Sequence, residues 1–98
     1  MAEPRFEWDS KKDAANRRKH GVSFEDASTV FLDDHALFMD DPEHSEREDR
    51  FLLLGLSSSL RMLIVCHVYR SDDDVIRIIS ARKADRREQQ QYFGRWTL

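Results

Sequence analysis

Lys12, Asn16, Lys19 and His20 recur at four- and three-residue spacings near the start of the chain. On a helix these positions fall within an arc of about 100°. One face then carries three groups able to hold a phosphate and an imidazole able to pass on a proton. The same pattern also describes a solvated helix face whose cations serve the negative end of the dipole. His67, set in an apolar stretch, reads as a half-buried histidine or as a second proton carrier, and Cys66 as core packing. His35 with Asp33, Asp34, Asp40 and Asp41 makes an acidic stretch that lacks the glycine of a calcium loop. H-E-x-x-H and C-x-x-C spacings are absent, and Gly21, Gly55 and Gly94 are too scattered for a phosphate-cradling loop. No metal and no cofactor are expected.

The elements that must position these groups are readable from caps and periodicity. Arg5 to Trp8 reads as a short strand. Asp9 or Ser10 caps a helix that stops at Gly21, and Ser23 caps a second, with Phe24, Ala27 and Phe31 as its core stripe. Strands follow over residues 36–39, 51–56, 60–69 and 75–81, separated by a charged loop at 43–49 and turns at 57–59 and 71–74. Asp85 and Glu88 form a D-x-x-E cap, predicting a final helix from about Arg86 to Phe93. The expectation is an α+β domain: a small antiparallel sheet, two N-terminal helices and one C-terminal helix, with the helices on one face.

A simple hairpin at 71–74 pairs Arg70 with Val75 and Tyr69 with Ile76. Alternation then puts Met62, Ile64, Cys66, Val68, Ile79 and Ala81 on one face, the better core. Leu63, Val65, His67, Tyr69, Ile78, Ser80 and Arg82 share the other. A one-residue slip would reverse this sorting.

Ninety-eight residues, 40% of them hydrophobic, make a single domain over 1–98. No apolar run approaches the roughly 18 residues of a membrane span. One cysteine excludes an internal disulfide framework and fits a reducing compartment, so a cytoplasmic domain is expected. The net charge of −3 hides a pattern: residues 21–50 hold two basic side chains against ten acidic ones, while residues 75–98 hold six against two. An acidic middle between basic ends suits one anionic and one cationic partner. Overall acidity argues against non-specific coating of nucleic acid.

Phe6-Glu7-Trp8-Asp9, Lys12, Asn16, Lys19-His20-Gly21-Val22-Ser23-Phe24-Glu25, Ala27 and Phe31 resemble the opening of the BrnT family. Arg50-Phe51 with Gly55, then Ile76 to Arg82 with Ala84, Arg87-Glu88 and Tyr92, resemble its second half. The likeness covers residues 5 to about 93, and the pair W-D-x-x-K-x-x-x-N-x-x-K-H-G and I-I-S-A-R is specific at this separation.

That resemblance implies a toxin of a bacterial type II toxin–antitoxin pair on a RelE/ParE-like fold, acting as a metal-independent endoribonuclease. It implies neutralisation by a ribbon-helix-helix antitoxin of the BrnA kind, in a hetero-oligomer for which 2:2 is one stoichiometry. Operator DNA would be bound only through the antitoxin. Cleavage without metal uses the ribose 2′-OH as nucleophile and needs an acid, a base and cations on the phosphorane. On the family motif positions, His20 is the expected acid or base, since imidazole titrates near 6.5 when unperturbed. Arg82 is expected to grip the phosphorane, with Ser80 and Tyr92 orienting the phosphate. Lys12, Lys19, Arg50 and Arg77 are expected RNA-backbone contacts, and Trp8 a base-stacking or core residue. The competing class is a non-catalytic, antitoxin-binding module on the same fold. Duplex DNA binding by the Arg-rich last helix finds no recognition-helix pattern.

Overall fold

The computed structural model describes residues 4–41, 49–70 and 74–94. Strand β1 (Arg5–Glu7) leads into helix α1 (Ser10–His20). Asp9 caps α1 by accepting from the Lys11 and Lys12 N–H groups at 2.8 and 3.4 Å. Gly21 ends it at φ +69°, its N–H donating to the Arg17 carbonyl. Ser23 then caps α2 (Phe24–Ser28), accepting from the Asp26 N–H at 3.0 Å. The helix expected to run on through Phe31 tightens instead into a 3₁₀ turn over Thr29–Leu32. Ser28 and Thr29 hydroxyls donate back to the Glu25 and Asp26 carbonyls at 2.7 and 2.6 Å, competing with the α-helical ladder.

Strands β2 (Leu37–Asp40), β3 (Phe51–Leu56), β4 (Met62–Arg70) and β5 (Val75–Lys83) complete a five-stranded sheet in the order β1-β5-β4-β3-β2. Three neighbouring pairs are antiparallel, but β1 runs parallel to β5. The sheet is therefore mixed, not purely antiparallel. No hairpin joins β1 to β5; most of the chain lies between them, so nothing forces their directions to oppose. The expected charged loop lies outside the described residues apart from Asp49, as does the turn at 71–74 apart from Asp74.

The helices also divide between the faces, where one covered face was expected. On one face Val22, Phe24, Ala27 and Val30 pack against Leu53, Leu63, Val65, Ile78 and Ala81. On the other, Tyr92 of α3 (Arg86–Gly94) and Ala84 pack against Leu54 and Ile64. Burying the Tyr92 ring requires α3 to cross to that second face. No helix among the described residues is long and apolar enough to cross a membrane.

Candidate active site

The hairpin between β4 and β5 starts in the expected register, with Arg70 opposite Val75 and His67 opposite Ile78. Between His67 and Cys66 the register shifts, and Cys66 faces Ser80. Ile79 is thus an extra residue, a β-bulge that reverses the facing of everything beyond it. Ala81 joins Leu63 and Val65 in the helix-covered core. Ser80 and Arg82 move to the face of Cys66 and Ile64, and the expected sorting of the two faces is corrected accordingly.

Beyond the end of β1, helix α1 takes over the open edge of β5. Asn16, buried on this otherwise polar helix, acts as a one-residue strand. Its amide donates to the Ala81 carbonyl at 2.8 Å and accepts from the Ala81 N–H at 3.2 Å. It also donates to the Val22 carbonyl at 2.8 Å, which ties down the chain after the helix. His20 lies one helical turn after Asn16, so this anchor fixes where the imidazole stands.

These two devices bring His20, Ser80 and Arg82 to one cavity of about 290 Å³. Leu52, Ile64 and Cys66 line it from β3 and β4, and Asp41 and Arg50 from the chain flanking β2 and β3. Asp41 is held there by its N–H donating to the Arg50 carbonyl at 3.0 Å. The Cys66 thiol contacts the Asp41 carboxylate at 3.8 Å. Burial pushes that thiol up to about 11, with Asp41 adding to the rise, so it stays protonated and unreactive. Arg82 is gripped by Glu88 through two bonds of 2.8 Å. That pairing raises the guanidinium further above its ordinary value and holds Glu88 below the usual carboxylate range. The arrangement offers an imidazole, two guanidinium groups, a hydroxyl and a carboxylate around a partly apolar floor, which suits a phosphodiester.

Residues 8–88 match the family described as "Ribonuclease toxin, BrnT, of type II toxin-antitoxin system". The chain belongs to the BrnT family. A BrnT ribonuclease toxin from Brucella abortus, solved as a crystal structure, shares the fold with a TM-score of 0.62. The two are 22% identical, over 86% of this chain and all of the Brucella one. No curated protein sequence matches the chain.

Of the residues expected from the BrnT motifs, His20, Arg50, Ser80 and Arg82 converge on the cavity. Tyr92 does not line it: it is buried, and its hydroxyl donates to Asp33 at 2.7 Å. Trp8 packs edge-on against Phe24 at 6.2 Å, as a core residue. Arg77 is paired with Glu7 at 2.8 Å, and Lys12 and Lys19 are exposed on α1 without lining the cavity. Asn16, read as part of a phosphate-holding face, is structural. His67 is fully buried, its Nδ1 3.2 Å from the Val65 carbonyl. Sequence reasoning missed Asp41 and the second role of Glu88. Asp41 lay within an acidic run with nothing to single it out, and Glu88 was already explained as a cap.

Proposed function

We propose that this BrnT chain is a metal-independent endoribonuclease toxin on a RelE/ParE-like fold, and that the cavity around Arg82 is where RNA is cut. In this reading the 2′-OH attacks the adjacent phosphorus, the P–O5′ bond breaks, and a 2′,3′-cyclic phosphate and a 5′-OH result. The Arg82 guanidinium stabilises the phosphorane, with Arg50 and Ser80 orienting the phosphate. His20 moves a proton, and Asp41 is the other titratable wall residue suited to the complementary transfer. The carrying observation is convergence: residues from α1, β5 and the β2–β3 connection meet at one cavity. The partner is a ribbon-helix-helix antitoxin of the BrnA kind, bound in a hetero-oligomer in the cytoplasm and carrying any operator binding.

Incubation of labelled RNA with the chain in excess EDTA tests this. Cleavage leaving 2′,3′-cyclic phosphate ends, lost in Arg82→Ala with unfolding unchanged and altered in pH dependence by His20→Ala, is the expected result. A second reading, a non-catalytic antitoxin-binding module, is favoured by the Glu88 carboxylate, which offsets Arg82, and by Asp41, which puts a carboxylate in the cavity wall. A folded wild-type chain that leaves both free and ribosome-bound RNA intact would select it.

A further inference from the structure

Among the described residues β2 is the outermost strand on its side of the sheet. Its pairing with β3 fixes which backbone groups face outward. The Asp41 N–H donates to the Arg50 carbonyl, so by antiparallel alternation Met39 and Leu37 also turn toward β3. Phe38 and Asp40 turn their N–H and C=O groups to the open edge.

The side chains of the same two residues share one face. Phe38 is 52% exposed and lies against Phe51 at 4.9 Å, which in turn meets Tyr69, itself 37% exposed, at 5.6 Å. Phe31 and His67 underlie this patch, at 4.8 Å from each other. An open strand edge beside exposed aromatic rings is an association hazard that folds blunt unless a partner uses it. Asp40 is opposite Phe51, and exposed Asp34 and Asp49 flank the two strands. The neighbouring cation, Arg70, lies 3.6 Å from the Glu7 carboxylate, which it shares with Arg77, and is outnumbered by these three aspartates. The surface is therefore apolar, aromatic and negatively rimmed.

We infer that the β2 edge is the docking strand for an extended, cationic segment of the antitoxin. The segment adds a sixth strand along Phe38 and Asp40 and lays its apolar side chains on Phe38, Phe51 and Tyr69. This rests on the reading of the chain as a toxin with a protein antitoxin. Its lysines or arginines meet Asp40, Asp34 and Asp49, which sets direction and suppresses acidic competitors. Docked there, the antitoxin adjoins Asp41, the next residue, whose side chain is part of the cavity wall.

The test compares the full chain, free and co-purified with its co-expressed antitoxin, by residue-resolved amide exchange. The Phe38 and Asp40 amides are expected to exchange at least about tenfold more slowly in the complex. Asp40→Pro removes an outward N–H that β3 does not use, and Asp40→Asn removes only the charge. Phe38→Ser removes the aromatic contact at an exposed position. Phe38→Ser and Asp40→Pro should each weaken antitoxin binding by about tenfold or more, Asp40→Asn by less, while RNA cleavage by the isolated variants stays at the wild-type rate. A complex in which both amides exchange as in the free chain overturns the inference and leaves the toxin reading intact. So does concentration-dependent protection of these amides in the isolated chain alone, which would assign the edge to a second copy. Absence of any complex together with absence of RNA cleavage would remove the toxin reading itself.

Discussion

Arg82 and Glu88 face each other as a fork on a fork, with Nη1 and Nη2 each donating to one carboxylate oxygen at 2.8 Å. The same carboxylate accepts from the Asp85 N–H at 2.9 Å, while the Glu88 N–H donates to Asp85 at 2.8 Å. One side chain therefore closes the cap of α3 and aims the cation that would meet the phosphate. Arg82 is pre-oriented, so less freedom is lost when a phosphodiester arrives.

Glu88→Gln separates these two duties, because glutamine at the third helical position still completes a capping box. Stability should change by less than about 1 kcal/mol, the range of an exposed ion pair. RNA cleavage should fall about tenfold or more through kcat, with KM moving less. Steady-state kinetics beside urea unfolding checks this. Unaltered kcat would show that Arg82 needs no orienting partner.

Asn16→Ala leaves the Ala81 N–H and two carbonyls without their partner in the interior, and should cost about 2–4 kcal/mol. Asn16→Asp keeps the acceptor but sets a carboxylate against the Ala81 and Val22 carbonyls, and should cost more at neutral pH than in acid. Both should lower cleavage through displacement of His20. Urea unfolding at two pH values separates them.

His67 is enclosed by Phe31, Phe38, Phe51 and Tyr69, and its Nε2 is buried without a hydrogen-bond partner. Burial holds its pKa below 6.5, outweighing the Val65 carbonyl. The unfolded chain then binds the proton more readily, so the stability is complete above about pH 6.5 and drains away below it. The loss should approach about 1.4 kcal/mol per pH unit at most. Thermal unfolding from pH 7.5 to 5 should show a fall in Tm that is smaller in His67→Phe.

Asp33 organises a second internal cluster, accepting from the Leu56 N–H at 2.8 Å, the Tyr92 hydroxyl at 2.7 Å and the His35 N–H at 2.9 Å. Burial opposes its ionisation, but these bonds together hold its carboxyl below the usual range. Tyr92→Phe should therefore cost about 1–3 kcal/mol while leaving kcat nearly unchanged. A large kcat loss at constant stability would return Tyr92 to the catalytic group. A methyl on Gly55 would sit 2.9 Å from Val30 Cγ1 and 3.0 Å from Ala36 Cβ and Asp33 Oδ2. Gly55→Ala should then cost about 1–3 kcal/mol by chemical denaturation.

Caps and periodicity made the elements legible: Asp9, Gly21, Ser23 and the Asp85–Glu88 pair mark boundaries the structure keeps. The BrnT motif positions pointed to His20, Arg50, Ser80 and Arg82, which line one cavity. Facing was not legible. Ile78 and Ile79 are the same residue type, so nothing in the local pattern betrays that one of them is surplus. The parallel pairing of Phe6 with Ile76 joins segments seventy positions apart, beyond the reach of local pattern. The passage of α3 to the second face depends on where Tyr92 finds Leu54 and Ile64, which is a tertiary fact.

The surplus isoleucine makes the site depend on register more than on the bulge itself. Deleting Ile79 would leave Ile78 opposite His67 and Ser80 opposite Cys66, so β4 and β5 would pair without a break while Ser80 and Arg82 kept the cavity side. A slip that let Ile79 pair with Cys66 would instead set Ser80 opposite Val65 and Arg82 opposite Leu63, turning both toward the helices. One position of slippage would exchange the chemical character of a whole surface while every strand remained in place, and it would leave the β2 edge unaltered.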